Sequence, residues 1–174
     1  MEYETDRLVI RFPRVSDAKE IFECYTQDSE VTKYLIWTPH KHLGDSINWV
    51  EYCLNSCNTD TNLKYVIEFK GTKKAIGMID FRINGMTAEF GYVLGKNYWN
   101  QGLMTEAMIP VFNTVFSNPN IFRIQACHDI DNHSSGKVMK KLGMVYEGIL
   151  RKYSLHPNIS IIPRDVKMYS KVKE

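Results

Sequence analysis

The stretch from Glu89 to Phe116 constrains the fold more than any other part of the sequence. Its first residues alternate with a period of two, so that Phe90, Tyr92 and Leu94 share one face of a predicted strand. Its second half has the apolar spacing of an amphipathic helix, at Met104, Ala107, Met108, Val111, Phe112 and Val115. The pattern therefore predicts a strand that leads through a short loop directly into a helix.

The loop between this strand and helix carries Gly102 at the mouth of the helix. Glycine lets a ligand approach the backbone closely, and the first N–H groups of a helix have no partner within the helix. Together with the positive end of the helix dipole, these donors favour binding of a phosphate group. A glycine that only allows tight packing explains the same residue. Pro110 is expected to kink the helix, either to reshape a ligand groove or as a tolerated irregularity.

Length and charge argue against several functions. The 174 residues are most simply one domain, residues 1–174, long enough to bury a core. A formal net charge of +2, without runs of like charge, argues against a nucleic-acid or membrane surface. The first residues lack the pattern of a signal peptide, and no apolar stretch approaches the roughly 18 residues that cross a bilayer. We therefore expect a cytoplasmic protein.

The cysteines and histidines give little support for a metal site. Cys53 and Cys57 lie four residues apart on a predicted helix, a spacing that two metal ligands can have. No histidine follows at a matching distance, and small buried thiols are common in reduced proteins. His128 and His133 flank a predicted turn without a spacing that promises converging carboxylates. We therefore expect no bound metal.

The whole sequence predicts seven strands and four helices. The strands are expected at residues 7–12, 63–69, 75–83, 87–94, 122–127, 145–155 and 166–172, and the helices at residues 16–27, 45–57, 104–116 and 134–142. Asn84-Gly85 indicates a tight hairpin between two of the strands. Helices interrupt the strands without regular alternation, so the predicted class is α/β of the α+β type, a mixed sheet with helices on both faces.

Short fragments recur in a fixed order along nearly the whole chain. They are Thr5-Asp6-Arg7-Leu8, Ala75-Ile76-Gly77, Ala88-Glu89-Phe90-Gly91-Tyr92, Tyr98-Trp99-Asn100-Gln101-Gly102, Thr105-Glu106-Ala107, Asn132-His133-Ser134-Ser135 and Lys141-Leu142-Gly143-Met144. Each fragment is weak evidence alone. In this order and spacing they resemble the GNAT N-acetyltransferase family, and within it the ribosomal-protein serine/alanine N-terminal acetyltransferases and their small-molecule relatives.

The resemblance implies the GNAT fold, a mostly antiparallel twisted sheet of about seven strands flanked by four helices. It also implies that acetyl-CoA is the acetyl donor. The residues implied to contact acetyl-CoA are Tyr92, Val93, Leu94, Gln101, Gly102, Leu103, Met104, Thr105, Asn132 and Ser135. Backbone amides of residues 101–105 would hold the pyrophosphate, and the splayed strand end at residues 92–94 would pair with the pantetheine amides. The family pattern at the loop, Arg/Gln-x-x-Gly-x-Gly/Ala, matches strictly only at Gly102, since Trp99 and Met104 occupy the outer positions.

Acetyl transfer to an amine requires a group that removes a proton from the amine. Glu89 is the first candidate, because it lies on the strand leading to the cofactor loop, where desolvation by its apolar neighbours would make it a better base. A solvated strand carboxylate explains Glu89 equally well. Glu68 and Asp80 on neighbouring strands are rivals, and the side of the strand on which each one lies decides between them. Backbone N–H groups near Val93 could polarise the thioester carbonyl.

The general acid is harder to assign. Many GNAT members carry a tyrosine seven residues after the asparagine of the second cofactor motif, and here that position is Met139. Ser135 is the substitute that we expect, although a hydroxyl at this position can simply cap the helix, as Asn132 can.

The expected function is an N-acetyltransferase that moves the acetyl group from acetyl-CoA to a primary amine by direct attack. The amine can belong to a protein N-terminus or to a small molecule, and the sequence does not separate these. The missing tyrosine at Met139 leaves open a non-catalytic acyl-CoA-binding sensor or scaffold. NAD and ATP sites are not expected, because neither G-x-G-x-x-G after a strand nor G-x-x-x-x-G-K-[ST] occurs. A homodimer through the C-terminal strands or an exposed sheet edge remains open.

Overall fold

The computed structural model describes residues 2–56 and 59–174, and within them eight strands form one sheet. The strands are β1 (Tyr3–Glu4), β2 (Leu8–Arg11), β3 (Asn62–Phe69), β4 (Lys74–Asn84), β5 (Thr87–Leu94), β6 (Arg123–Asp129), β7 (Val145–Ser154) and β8 (Arg164–Val172). Their order across the sheet is β1-β2-β3-β4-β5-β6-β8-β7. Neighbours in this sheet are antiparallel except β5 and β6, which are parallel. The predicted mixed, mostly antiparallel sheet is confirmed, with the two-residue β1 as an addition.

Helices follow the predicted positions, with one short addition. They are α1 (Asp17–Ile21), α2 (Ser29–Thr32), α3 (Leu43–Ser56), α4 (Leu103–Ser117) and α5 (His133–Lys141). A π-helical turn at Phe22–Thr26 continues α1, so these two together fill the predicted first helix. Cys57, one half of the Cys53–Cys57 spacing, lies outside the described residues. None of the helices within residues 2–56 and 59–174 has the length and apolar character to cross a membrane.

Two apolar layers hold the helices against opposite faces of the sheet. On one face Phe81 and Phe90 pack against Met108 and Phe112 of α4. On the other face, side chains of α1 and α3 pack against Val66 and Met78 (the cluster also contains Ala18, Ile21, Val50 and Cys53). The alternation along each strand produces this division, because successive side chains point to opposite faces. Helices therefore pack on both faces of the sheet, as predicted.

The hairpin between β4 and β5 sets the phase of the central strands. Gly85 has a φ of +57°, a left-handed conformation that glycine adopts readily, and Asn84 pairs with Thr87 across the turn. The register then places Glu89 opposite Arg82 on one face. Since residues of one strand alternate, Tyr92 lies on the other face, which α4 and α5 cover. One strand therefore presents an acidic side chain and a phenol to opposite sides of the sheet.

The sheet opens between β5 and β6. These strands pair over three positions only, Thr87–Glu89 with Arg123–Gln125. Both continue beyond this contact, β5 to Leu94 and β6 to Asp129, without pairing to each other. Helix α4 begins shortly after the end of β5, and α5 begins shortly after the end of β6. The gap therefore lies between the N-termini of two helices.

Helix α4 runs through Pro110 to Ser117 without interruption. Proline at this position has no N–H to donate to the preceding turn. The helix is nevertheless held by a continuous apolar face, with Leu103, Met104, Ala107, Met108, Val111, Phe112 and Val115 all buried. Packing of this face outweighs the lost hydrogen bond. Pro110 thus does not end the helix.

Candidate active site

The N-terminus of α4 presents free backbone donors. Gly102 has a φ of +78°, and the first N–H of the helix with an internal partner is that of Glu106, which donates to the carbonyl of Gly102 at 3.0 Å. No acceptor in the described part of the chain bonds the N–H groups of Leu103, Met104 or Thr105. These three donors and the helix dipole suit an anionic group.

Glu106 fastens this helix start to the N-terminal segment. Its carboxylate accepts hydrogen bonds from the hydroxyl of Thr5 at 2.6 Å, and from the backbone N–H and Nε of Arg7 at 3.0 and 2.8 Å. The Arg7 guanidinium in turn donates to the carbonyl of Gln101 at 3.1 Å. Burial disfavours the charged form, but the hydrogen bonds from Thr5 and Arg7 outweigh it and lower the pKa of Glu106. Glu106 therefore stays ionised and holds a cation beside the Gly102 loop.

A cleft of about 500 Å³ extends from the start of α4 along the end of β5 to α5. It is lined by all the residues expected to contact acetyl-CoA except Gln101, namely Tyr92, Val93, Leu94, Gly102, Leu103, Met104, Thr105, Asn132 and Ser135. Gln101 points elsewhere, and its amide donates to the carbonyl of Asn97 at 2.9 Å. Lys33, Lys137 and Lys141 also line the cleft and give it a positive field suited to phosphates. Sequence reasoning missed these lysines, since nothing in their spacing marks them.

A second, smaller cleft of about 240 Å³ meets the first. Both clefts are lined by Tyr34, Leu35, Tyr92, Asn132 and Ser135. The smaller cleft continues past them to Glu89, Arg82, Cys127 and Tyr153, and then to Asp129, Ser154 and His156. A long ligand in the first cleft would thus place its reactive end where a second ligand can reach it.

A pair of hydroxyl groups occupies the junction of the two clefts. The phenol of Tyr92 lies 2.8 Å from the hydroxyl of Ser135 and 3.1 Å from the Ser135 carbonyl oxygen. Burial raises the pKa of Tyr92, and the hydrogen bond with Ser135 offsets only part of this effect. The phenol therefore keeps its proton at neutral pH. Sequence reasoning assigned Tyr92 a backbone contact with the cofactor and missed its hydroxyl as a partner of Ser135.

Asn132 and Met139 frame this pair. The Asn132 side chain accepts a hydrogen bond from the backbone N–H of Ser135 at 3.4 Å, so it caps α5 as well as lining both clefts. Met139, at the position where the family resemblance implied a tyrosine, is buried and lines the smaller cleft. The phenol that reaches the junction comes instead from Tyr92 on β5.

Of the three candidate bases, Glu89 is the one that lines a cleft. Its side chain is 36% exposed, and its two oxygens lie 3.3 Å from the guanidinium of Arg82 and 3.3 Å from the amide of Gln125. The expected desolvated setting is therefore replaced by a polar, half-open one. Glu68 is paired with Arg11 at 2.7 Å and Asp80 with Lys64 at 2.8 Å, and neither lines the two clefts.

The structure offers no support for a metal site in the parts of the chain that it describes. Within residues 2–56 and 59–174, no three side chains of His, Cys, Asp or Glu converge as metal ligands. His128 is buried, and its Nδ1 lies 2.7 Å from the carbonyl oxygen of Asp129.

A sheet opened between two parallel strands, beside free helix amides and a lysine-lined cleft, suits a ligand that carries phosphates and amide groups, as the coenzyme A of acyltransferases does. Comparison with protein families agrees with this assignment. The model of the acetyltransferase (GNAT) domain matches residues 7–145. The chain therefore belongs to the GNAT acetyltransferase family, which confirms the predicted family, fold and enzyme class.

Relatives cover nearly the whole chain. The uncharacterized N-acetyltransferase YoaA of Bacillus subtilis (strain 168) is 32% identical, over 98% of this chain and 96% of that protein. The [ribosomal protein uS5]-alanine N-acetyltransferase of Escherichia coli (strain K12) is 28% identical, over 87% of this chain and 81% of that protein. Among solved structures, the microcin C7 self-immunity acetyltransferase MccE in complex with acetyl-CoA and AMP is 25% identical with a TM-score of 0.83, covering 97% of this chain and 94% of that chain.

Proposed function

We propose that this protein is an N-acetyltransferase that transfers the acetyl group of acetyl-CoA directly to a primary amine. The observation that carries the proposal is the meeting of the two clefts at Tyr92 and Ser135. One cleft has the basic side chains and free helix amides that suit coenzyme A, and the other leads from the junction to the carboxylate of Glu89. Direct transfer requires such a meeting, because donor and acceptor must react while both are bound.

In the donor cleft, the free N–H groups of residues 103–105 would hold the pyrophosphate. The open side of β5 at residues 92–94 would pair with the pantetheine amides, since β6 no longer pairs with β5 there. The lysines at the cleft wall, Lys137 and Lys141, would balance the remaining phosphate charge. The thioester then lies near Tyr92, where a backbone N–H of the Val93 region can polarise its carbonyl.

The side chains near the junction of the two clefts supply the proton transfers that the reaction needs. The amine arrives as an ammonium ion, Glu89 accepts one of its protons, and the neutral nitrogen attacks the thioester carbon. As the C–S bond breaks, the electron pair passes to sulfur, and the hydroxyl pair of Tyr92 and Ser135 donates to the departing thiolate. Direct attack needs no covalent acetyl-enzyme, so no nucleophilic cysteine or serine is required.

The acceptor is either a protein N-terminal amine or a small-molecule amine. The E. coli relative named above acts on the alanine of a ribosomal protein, and the MccE structure holds AMP in addition to acetyl-CoA. The smaller cleft, of about 240 Å³, is open to solvent and does not by itself separate these two classes of acceptor. We propose that residues 1–174 act as one domain.

A non-catalytic acyl-CoA sensor is the second candidate, favoured by Met139 in the place of the usual tyrosine. The two functions differ in one measurement, the release of free coenzyme A thiol in the presence of an amine. A sensor binds acetyl-CoA and releases none. The hydroxyl pair at the junction favours the enzyme.

Thermal unfolding with and without acetyl-CoA tests the donor site. Acetyl-CoA at about 100 times its Kd should stabilise the fold by about 2.7 kcal/mol, because it binds only the folded state. For a chain of this length the corresponding rise in Tm is roughly 5 to 10 °C. ATP and NAD are the controls and should give no rise. Absence of a rise at saturating acetyl-CoA would refute both candidate functions.

A panel of amines, followed by thiol release, then tests catalysis. N-terminal peptides, polyamines, amino acids and aminoacyl compounds represent the acceptor classes. The expected result is release of one thiol per acetylated amine with at least one class. Glu89→Gln should lower this rate strongly at neutral pH and leave the acetyl-CoA-induced rise in Tm unchanged.

A further inference from the structure

Three polar side chains form an array at the end of the smaller cleft. Asp129 ends β6, Ser154 ends β7, and His156 follows two residues later. His156 Nε2 lies 3.1 Å from Ser154 Oγ, and His156 Nδ1 lies 3.0 Å from Asp129 Oδ2. All three line the cleft that also contains Glu89.

Burial and hydrogen bonds hold the side chains of this array in fixed positions. Asp129 and His156 are 1% and 4% exposed, so both have been removed from water on folding. Arg164 donates to the two oxygens of Asp129 at 2.6 and 3.1 Å and fixes the carboxylate in place. Burial opposes the charge on Asp129, but the hydrogen bonds from Arg164 outweigh it and keep the pKa of Asp129 lowered. Asp129 is therefore a fixed negative charge beside the imidazole.

The contacts give the two ring nitrogens of His156 different roles. Nδ1 faces the carboxylate, although within the described residues it has no aligned hydrogen bond, so its interaction with Asp129 is electrostatic. A proton on Nδ1 is favoured by this charge, and Nε2 then accepts from the hydroxyl of Ser154. The tautomer is inferred from these neighbours. Ser154 thus connects the open cleft with a buried base.

The surroundings keep the imidazole neutral until a proton arrives. Asp129 on β6 and Arg164 on β8 are the charged groups nearest the ring, and Glu89, Arg82 and Tyr153 lie along the same cleft. Burial lowers the pKa of His156, while Asp129 acts in the opposite direction. The neutral ring can therefore accept a proton at physiological pH, and the imidazolium that forms is stabilised by Asp129.

In the proposed transfer, the second proton of the amine still needs an acceptor. An ammonium must lose two protons to become an amide nitrogen, one before it attacks the thioester and one after. The proposed function assigns the first to Glu89. We infer that His156, acting through Ser154, accepts the second proton. This inference rests on the proposed N-acetyltransferase function.

The step is balanced in atoms and charge. After attack, the positively charged nitrogen of the tetrahedral intermediate gives a proton to Ser154 Oγ, while the proton of Ser154 passes to His156 Nε2. The C–S bond then breaks, and the sulfur receives a proton from the hydroxyl pair of Tyr92 and Ser135. Glu89 and His156 now hold two protons, of which one returns to the hydroxyl pair and the other is released to water. The net reaction turns an ammonium ion and a thioester into an amide, a thiol and one proton released to water.

Raising the pH separates the two proton acceptors. In Glu89→Gln, activity should return as the pH approaches the pKa of the free amine, because the amine then arrives neutral. In Ser154→Ala and His156→Gln, the missing group is the acceptor of the second amine proton, which must leave only after the amine has attacked. The loss in kcat should therefore persist at high pH. The expected loss in kcat is about 10²-fold, the lower end for a proton-transfer group. His42→Gln, at an exposed histidine that lines neither cleft, is the matched control and should behave as the wild type.

The outcomes are distinct. A wild-type rate in Ser154→Ala, or a His156→Gln deficit that vanishes at high pH as in Glu89→Gln, would overturn the inference and leave the proposed function standing. A wild-type protein that binds acetyl-CoA yet acetylates no amine would overturn the proposed function, and this inference with it. The acetyl-CoA-induced rise in Tm reports folding of each variant. Ser154→Ala removes a single oxygen and decides the matter if His156→Gln does not fold.

Discussion

The hydroxyl groups of Tyr92 and Ser135 are 2.8 Å apart, and their individual effects on catalysis can be separated. Tyr92→Phe removes the phenol while keeping the ring, so we expect kcat to fall about 10²-fold if the phenol donates to sulfur. Ser135→Ala should have a smaller effect, because the Tyr92 phenol retains the Ser135 carbonyl oxygen as a partner. Thiol release under saturating donor and acceptor measures both.

Tyr146→Phe provides the control for the loss of a phenol. Tyr146 is 46% exposed on β7 and lines neither cleft, so its variant should keep the wild-type rate. An unchanged kcat in Tyr92→Phe and Ser135→Ala together would mean that solvent protonates the thiolate.

Gly136 marks a close contact between α5 and the sheet. A Cβ at this position would lie 2.7 Å from Nε2 of His128 and 3.4 Å from the hydroxyl of Tyr169, and His128 is 5% exposed. Gly136→Ala should therefore lower the free energy of unfolding by about 1–3 kcal/mol, as overpacking does. Thermal or urea unfolding measures this loss. Gly44→Ala is the matched control, since nothing lies within 4 Å of its added methyl and alanine is the better helix former in α3. It should unfold no earlier than the wild type.

Part of the candidate site could be predicted from single residues. The alternation along β5 separates Glu89 from Tyr92, and the glycine at the start of α4 indicates the anion site. The choice among Glu89, Glu68 and Asp80 required the register, which decides which carboxylate pairs with a cation away from the clefts. Ser154 and His156 were missed because Ser-x-His is not a specific pattern. Their meeting with Asp129 depends on which strands are neighbours.

Among the helices and strands, the attachment of α4 to the N-terminal segment has a measurable role. Glu106 accepts from Thr5 and Arg7, and its side chain is 20% exposed. Glu106→Gln should lower the free energy of unfolding by about 1.5–3 kcal/mol, the range for hydrogen bonds to charged groups. It should also raise the Kd for acetyl-CoA, because Arg7 supports the loop at Gln101. Chemical unfolding and calorimetric titration measure the two effects.

Glu4→Gln is the control for loss of an acidic partner in the same segment. Glu4 pairs with Lys70 at 3.0 Å but is 71% exposed, so the pair contributes less than about 1 kcal/mol. If the two variants lose equal stability, the attachment of α4 has no special importance.

Strong hydrophobic periodicity made most helices and strands predictable from the sequence. Short or weakly patterned segments could not be predicted. The strand β1 has two residues, and its pairing of Tyr3 with Ile10 is set by the neighbouring strand rather than by its own pattern. The four-residue α2 depends on the Asp28 side chain, which accepts from the N–H groups of Glu30 and Val31. The order β6-β8-β7 is invisible to local pattern, because β7 and β8 exchange places relative to the chain.

For the molecule as a whole, acidification should weaken the fold in two stages. Burial lowers the pKa of His40, His128 and His156 below the ordinary value of 6.5, so the unfolded chain binds more protons just below that pH. The stability that these residues contribute is present above pH 6.5 and is lost as the pH falls through their lowered values. The second stage involves carboxylates whose pKa the fold lowers. One of them is Glu147, whose hydrogen bond from Arg123 lowers its pKa to about 2.

Thermal unfolding between pH 8 and pH 3 measures this dependence. We expect a nearly constant Tm above pH 7, a first decline below pH 6.5 and a steeper one below the ordinary glutamate value of 4.5. Replacing His128 with glutamine should remove part of the first decline. A Tm that rises on acidification to pH 5 would contradict the assigned directions.

The three residue pairs between β5 and β6 also determine how easily the two halves of the sheet move relative to each other. Five strands lie on one side of this contact and three on the other, so few backbone hydrogen bonds join the two halves. Beyond Glu89, the amide hydrogens of β5 that point away from β4 should exchange with solvent deuterium rapidly in the free protein, because no strand covers that side. Coenzyme bound in the gap would link the halves, and exchange should then slow in β5 and, through the common sheet, in β6 and β8. Bound acetyl-CoA would thus stabilise the contact between the two halves of the sheet and also supply the acetyl group.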